Sequence, residues 1–231
     1  MFTIVNKMKI IEIATLRQAQ GKLARNDIFC IWYNGWMKAS DLTFEDTDQI
    51  IKLLRNGKVG VMPTDTIYGV VGSALNPETV EKIYVLRQRE KDKPFIILIS
   101  SIDDLKKFEV KPTKEQRDFL EKNWPNPLSV VLAVNAEKLK YLHRGKNSLA
   151  FRMPKNKWLL KILKRVGPLV APSANPAGAK PAETTKEAKE YFGSAVSFHI
   201  DGGQLKSKPS TIIRLLDDGT KIVLREGGFR V

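Results

Sequence analysis

Two apolar runs constrain the fold of this chain more than any other feature. Phe95-Ile96-Ile97-Leu98-Ile99 carries no polar residue, and Leu128 to Val134 is a second run of strand length. A strand with one wet face alternates apolar and polar side chains, whereas an unbroken run is the pattern of a strand covered on both faces. Covering both faces of a sheet requires helices interspersed with the strands.

The chain supplies those helices. Ile50, Ile51, Leu53 and Leu54 recur at helical spacing behind a cap at Thr43 or Asp41, and Gly57 ends that helix. Val59 to Met62 reads as a strand running into Pro63, and Ile67 to Val71 as another. Asn76-Pro77-Glu78-Thr79 opens a helix with proline at its first position, burying Val80, Ile83, Tyr84 and Leu86 and running out in Arg87 to Lys93 before Pro94. Ser101 to Asp104 resembles a short helix start, and Thr113 to Asn123 is amphipathic until Trp124-Pro125-Asn126-Pro127 breaks it. Ser148 to Met153 and Leu169 to Ala171 read as strands, Trp158 to Val166 as a helix with a basic outer face. Thr184-Thr185-Lys186-Glu187 is a capping box, and Val196 to Ile200, Thr211 to Leu215 and Lys221 to Leu224 close the sheet. The expected architecture is a single α/β domain over 43–231, a twisted open mixed β-sheet flanked by helices. Residues 1–42 read as an N-terminal extension without an assigned role. Within it, Ile10 to Ile13 reads as a short strand and Leu16 to Leu23 as a scrap of helix. Trp32, Tyr33 and Trp36 cluster beside Cys30, either as a packing cap or as a stacking surface for RNA bases.

Charge bears on partners. A net charge of +14 implies an anionic partner, such as nucleic acid, a nucleotide or a membrane surface. Residues 111–165 hold 14 Lys or Arg against 4 Asp or Glu, so most of the excess lies there. Solvated helix faces and a surface for a phosphate backbone both account for it. The single cysteine excludes an intramolecular disulfide and a Cys-rich metal site, and two histidines far apart, His143 and His199, argue against a His-ligated metal. No apolar run approaches the ~20 residues that span a bilayer, and Met1 to Gln20 lacks a secretory pattern, so the expected compartment is the cytoplasm, with no membrane partner.

Chemistry is expected at strand ends. Pro63 fixes its own φ and pushes Met62 towards extended backbone, which sets Thr64, Asp65, Thr66 and Tyr68 on a stiff elbow. Ligands of open α/β sheets sit at such ends, although the same pattern also reads as an ordinary hairpin turn with solvated hydroxyls. Arg87 and Arg89 diverge if helical but converge on one anion if the helix unwinds, and each offers a bidentate fork. Ser173 and Asn175 follow Pro172, Ser210 and Thr211 follow Gly202-Gly203 and Pro209, and Arg225 stands beside Gly227 and Gly228, which would let a ligand approach the backbone. Each loop alone reads as structural; four on one sheet, all bearing hydroxyl, amide or guanidinium groups, point to a nucleotide site. The chain contains no P-loop, G-x-G-x-x-G, H-E-x-x-H or G-x-S-x-G motif.

Seven segments in order carry a family resemblance: Pro63-Thr64-Asp65-Thr66-Ile67-Tyr68-Gly69, Arg87-Gln88-Arg89, Trp124 to Ser129, Phe151-Arg152-Met153-Pro154, Ala171-Pro172-Ser173-Ala174-Asn175, Asp201-Gly202-Gly203 with Pro209-Ser210-Thr211, and Leu224-Arg225-Glu226-Gly227. They resemble the YrdC-like threonylcarbamoyl-AMP synthases over about residues 45–228. The resemblance implies an open α/β sheet with a concave basic face. It also implies an enzyme, a nucleotidyltransferase that joins L-threonine, bicarbonate (or CO2) and ATP into threonylcarbamoyl-adenylate and releases pyrophosphate. A separate tRNA threonylcarbamoyl-transferase complex then modifies tRNA, which itself could contact the basic 111–165 region. On this resemblance Arg87, Arg89 and Ser173 are catalytic, and Thr64, Thr66, Tyr68 and Arg89 form the threonine pocket. The nucleotide is held by Arg87, Arg89, Arg152, Pro172, Ser173, Asn175, Ser210, Thr211 and Arg225. Mg²⁺ is held mainly by the phosphates, with no protein metal site. The chain departs from the usual pattern at Arg87, where lysine is common, at Glu90 and Asn126, and at Leu98, where some relatives have a threonine-contacting histidine. Two other readings remain: a non-catalytic RNA-binding protein of tRNA or ribosome maturation, and a carbamoyl-adenylate-binding carbamoyltransferase domain.

Overall fold

The computed structural model describes residues 39–231, so the strand expected at Ile10–Ile13, the helix at Leu16–Leu23 and the aromatic group around Cys30 lie outside the described residues. In chain order the elements are β1 (Ser40–Leu42), α1 (Thr47–Arg55), β2 (Gly60–Pro63), β3 (Tyr68–Ser73), α2 (Pro77–Arg87), β4 (Ile96–Leu98) and a 3₁₀ helix (Ile102–Phe108). They continue with α3 (Lys114–Asn123), β5 (Leu128–Ala133), α4 (Lys140–His143), β6 (Ser148–Arg152), α5 (Lys157–Val166) and β7 (Leu169–Val170). The chain ends with α6 (Thr185–Phe192), β8 (Phe198–Ile200), β9 (Thr211–Leu215) and β10 (Lys221–Arg225).

Among the described residues the strands form one ten-stranded sheet in the order β1-β8-β2-β3-β7-β4-β6-β5-β9-β10. Pairings β1–β8, β8–β2, β4–β6 and β5–β9 are parallel and the others antiparallel, so the sheet is open and mixed, as the alternation of elements requires. Ile97, Leu98 and Ile99 are fully buried, which is what the unbroken run demanded. On one face Leu159, Ile162 and Leu163 of α5 and Ile50 and Leu54 of α1 pack against Leu42, Met62, Val71, Leu98, Leu169 and Phe198. Full burial of such side chains contributes about 1.5–3 kcal/mol each before entropy is counted. α2 lies close on β3: a Cβ at Gly72 would stand 2.4 Å from Thr79 Cγ2. Asn76 caps α2 through a bond from Thr79 N, 3.0 Å, with Pro77 in its first turn.

Several boundaries shift from expectation by a residue or two, as at β3 (Tyr68–Ser73, not Ile67 to Val71) and β8 (from Phe198, not Val196), and three differences have a physical reason. α1 begins at Thr47 with Asp46 at the N-cap position, not Thr43 or Asp41. The Asp46 carboxylate accepts bonds from Thr43 N and Oγ1, 2.7 and 2.9 Å, so Thr43–Asp46 closes a turn of its own before the helix. β1 precedes residue 43 and pairs with β8; three residues carry too little periodicity to reveal it. The last strand extends one residue further than expected, to Arg225, through an irregularity between Val223 and Arg225.

Candidate functional site

The elbow after β2 is a hairpin, with Pro63 opposite Tyr68. Its hydroxyls are not solvated. Thr64 Oγ1 donates to Ile67 O at 2.7 Å and accepts from Thr66 N and Ile67 N, while Thr64 and Thr66 are 5% and 2% exposed. Arg152, at the end of β6, clamps the turn from outside: Nη1 donates to Thr66 Oγ1 at 3.2 Å and Nη2 pairs with Asp65 Oδ1 at 3.1 Å. Burial draws the Arg152 guanidinium towards its neutral form and the Asp65 charge opposes this. Arg152 Nε has no partner among the described residues. An orphaned N–H of this kind costs free energy unless an acceptor reaches it.

A second wall comes from the end of α2. Gln88 adopts φ +50°, a left-handed cap whose N–H, with that of Arg89, bonds back to Val85 O and Tyr84 O. That cap ends the helix and brings Arg87 and Arg89 to one cavity, although two residues of a continuing helix would point some 200° apart. Arg87 is 3% exposed; its Nε donates to Asn175 O at 2.9 Å and Nη2 to Asn175 Oδ1 at 3.1 Å and Ser173 Oγ at 3.2 Å. Burial, and then the charge of Arg89, lower its pKa to about 10, which leaves it a cation at neutral pH. Arg89 Nε donates to Lys93 O at 3.2 Å.

The remaining walls are the 171–175 turn and the start of β9. Gly69 and Ser173 form a bridge, and Val70 N donates to Pro172 O at 2.9 Å, so the turn is locked to β3. Arg225 donates to Ser210 O from Nε and Nη2, 3.2 and 2.7 Å, and Ser210 Oγ lies 2.9 Å from buried Ser129 Oγ. Burial, followed by repulsion from Arg152 and Arg89, lowers the Arg225 pKa. The enclosed volume is about 270 Å³, floored by Ile96, Ala150, Val131 and Ile212 from four adjacent strands.

Of the residues expected in the site, Thr64, Thr66, Tyr68, Arg87, Arg89, Arg152, Pro172, Ser173, Ser210 and Arg225 line this cavity. Asn175 and Thr211 are not among its lining residues. Asn175 accepts from Arg87 and donates to Pro176 O and Ala179 O, both 2.8 Å, so it holds the wall from behind. Thr211 Oγ1 donates to Phe229 O at 2.5 Å and accepts from Gly227 N and Phe229 N, which ties down the C-terminal turn. Tyr68 is fully buried, and its hydroxyl donates to Gly203 O and accepts from Gly202 N, both 2.8 Å, fixing the 201–203 turn. Gly227 serves backbone packing and not ligand access, since a Cβ there would stand 2.2 Å from Pro209 O. Leu98 is buried in the core and Glu90 pairs with Lys93 at 2.7 Å. Pro94, Phe95 and the apolar floor carry no polar signal, but the period of two along β5 and β6 places Val131 and Ala150 on one face.

No carboxylate lines the cavity, and among the described residues no group of three His, Cys, Asp or Glu could hold a metal. Among the described residues the cavity does not build a protein site for Mg²⁺. The arrangement can neutralise and orient a polyanion, with hydroxyls and an apolar floor beside it.

The family model Sua5/YciO/YrdC, described as "Telomere recombination", matches residues 52–227. The chain is 32% identical to the threonylcarbamoyl-AMP synthase of Pyrococcus abyssi over 76% of its own length and 52% of that protein. It is 30% identical to the threonylcarbamoyl-AMP synthase of Vibrio campbellii over 78% of its own length and 98% of that protein. The crystal structure of P. abyssi Sua5 complexed with L-threonine superposes with a TM-score of 0.74 at 28% identity, covering 81% of this chain and 57% of that one. The chain thus spans about half the length of the Pyrococcus relative.

Proposed function

The chain belongs to the Sua5/YciO/YrdC family, and from that premise we propose that it is a threonylcarbamoyl-AMP synthase. L-threonine and bicarbonate give the carbamate and water. A carbamate oxygen then attacks the α-phosphorus of ATP in line, and the bond to the β-phosphate bridging oxygen breaks to release pyrophosphate. This reaction asks the protein for positioning and charge neutralisation more than for a nucleophile.

The observation that carries the reading is the convergence of Arg87, Arg89, Arg152 and Arg225 with Ser173 and Ser210 in one cavity. In this proposal Arg87, Arg89 and Arg225 hold the triphosphate, and Ser173 and Ser210 supply hydroxyls beside it. Arg87, Arg89 and Ser173 are the catalytic residues. Thr64 and Thr66, with the Tyr68 backbone, face threonine, and Arg89 takes its carboxylate. Pro172 shapes the nucleotide wall, while Asn175 and Thr211 act from behind as positioning residues. Arg152 offers its free Nε–H to a substrate oxygen. Donors preset in a water-poor site are worth about 10²–10³ in rate each. Mg²⁺ would arrive bound by the phosphates of ATP, as part of the substrate. The synthase domain includes β1 and so begins by Ser40 and not at 43, with an appended segment before it, and the product passes to a tRNA threonylcarbamoyl-transferase complex in the cytoplasm. RNA contact through the basic 111–165 region would draw on Lys155, Lys157, Lys161 and Lys164, which are exposed.

The test is pyrophosphate release by the purified chain with ATP, Mg²⁺ and bicarbonate, with and without L-threonine. Threonine-dependent release is expected. Absence of release in both conditions, from folded protein, would remove the reading.

A further inference from the structure

Arg89 is half-buried and follows a helix cap, and its side chain rests on a column of rings that starts at Phe95 in the cavity wall. The column then runs back behind the cavity. The guanidinium of Arg89 lies 5.7 Å from the centroid of the Phe95 ring. That ring stacks on Tyr84, with centroids 4.0 Å apart and planes 25° from parallel. Arg144 sits 4.0 Å from the centroid of Tyr84 and is itself paired with Glu81. One carbonyl locks the cation end of this column: Lys93 O accepts from Tyr84 Oη at 3.0 Å and from Arg89 Nε at 3.2 Å. The same oxygen thus fixes both the tyrosine and the arginine, and the 88–93 turn is stapled to the body of α2.

We infer that Tyr84 is a positioning residue for Arg89, acting through the Phe95 ring and the shared Lys93 carbonyl. Tyr84 does not line the cavity, is 2% exposed, and belongs to the buried face of α2. The hydroxyl of a buried tyrosine needs an acceptor in any role, so the bond alone does not mark a positioning residue. The shared acceptor is what couples it to the side chain that faces the ligand. The inference rests on the reading of Arg89 as a phosphate-holding group.

The experiment is isothermal titration of inorganic pyrophosphate into wild type, Tyr84→Phe, Tyr84→Leu, Arg89→Ala and the double variants with Arg89→Ala, with melting temperatures for each. Tyr84→Phe keeps the stack and loses the hydroxyl with its bond to Lys93 O, so it remains informative if Tyr84→Leu does not fold. Either substitution is expected to weaken pyrophosphate binding about three- to tenfold, the leucine more than the phenylalanine. Neither is expected to weaken it further once Arg89 is alanine, because the two residues act as one unit. An equal loss in both backgrounds, or no loss in either, would overturn the inference and leave Tyr84 a packing residue. Arg89→Ala binding as tightly as wild type would instead remove the role of Arg89, and the inference with it. Threonine-dependent pyrophosphate release from wild type, measured separately, tells that failure from a failure of the synthase reading.

Discussion

The cavity and the 111–165 segment are both rich in cations but neutralise them in different ways. In the segment, Lys114 pairs with Asp118, Arg117 with Glu121, Lys140 with Glu137 and Lys138 with Glu109, on largely exposed side chains. Such pairs are screened by water and salt and contribute little. In the cavity, Arg87, Arg89 and Arg225 are held by Asn175, Ser173, Lys93 and Ser210 through carbonyls, an amide oxygen and hydroxyls. Only Arg152 has a carboxylate, Asp65. Neutral acceptors fix the forks without cancelling the charge, and burial makes that residual charge costly until an anion arrives. Counting charge along the chain therefore does not find the cavity. The segment has the larger excess, including Lys155, Lys157, Lys161 and Lys164, unpaired among the described residues, but on side chains open to water, whereas the cavity holds Arg87 and Arg152 buried.

The largest expected effect breaks the cavity side of this comparison. Arg89→Ala should lower adenylate formation by about 10²–10³-fold while the melting temperature stays near wild type, because the side chain of Arg89 is partly exposed and holds the protein through the Lys93 carbonyl and the Phe95 ring. Arg87→Met should lose as much activity and also stability, since Asn175 O and Oδ1 lose their buried donor at about 1–3 kcal/mol. Full adenylate formation by folded Arg89→Ala protein would dissolve the distinction between the two regions.

Asp65→Asn sharpens it by removing the single carboxylate partner in the cavity wall. Arg152 then becomes a buried cation without a counter-ion, and denaturant titration should show a loss of about 3 kcal/mol. Added pyrophosphate should recover more stability in this variant than in wild type. Unchanged stability would mean that the pair is solvated.

A smaller effect concerns acid. His199 is 1% exposed, donates from Nε2 to Gly193 O at 2.9 Å, and burial holds its pKa below the ordinary value of 6.5. The unfolded chain then binds the proton more readily than the folded one. Stability should be full above pH 6.5 and fall as pH drops below it, and His199→Gln should flatten that slope in pH-dependent unfolding. The smallest effect is on the surface: Lys140→Ala should change neither pyrophosphate release nor, beyond about a degree, the melting temperature.

The fold was legible where local pattern and tertiary environment agree. The unbroken Phe95 to Ile99 run and Asn76-Pro77 encode their elements locally and stand as expected; of the Thr184–Glu187 capping box the Thr184 half forms, accepting from Glu187 N, while the Glu187 carboxylate accepts from Glu183 N. β1 was not legible, because three residues become a strand only through pairing with β8, more than 150 residues away. In the site, the strand-end arginines and serines were legible by residue type. Their division of labour was not. That Asn175 and Thr211 brace the walls, and that Tyr68 holds the 201–203 turn, depends on which way each side chain leaves the backbone. The burial of the Thr64 and Thr66 hydroxyls depends likewise on Arg152, 86 residues on from Thr66. Apolar floor residues such as Val131 and Ala150 look like core in any sequence.

The most direct test of unneutralised cavity charge is the melting temperature with and without saturating pyrophosphate, for wild type, Arg87→Met, Arg225→Met and the Lys140→Ala control. Ligand at a hundredfold its Kd adds about 2.7 kcal/mol to the folded state. The account predicts a rise of several degrees in wild type and the control, and little or none in the two cavity variants. An equal rise in all four proteins would contradict it and put the anion site elsewhere.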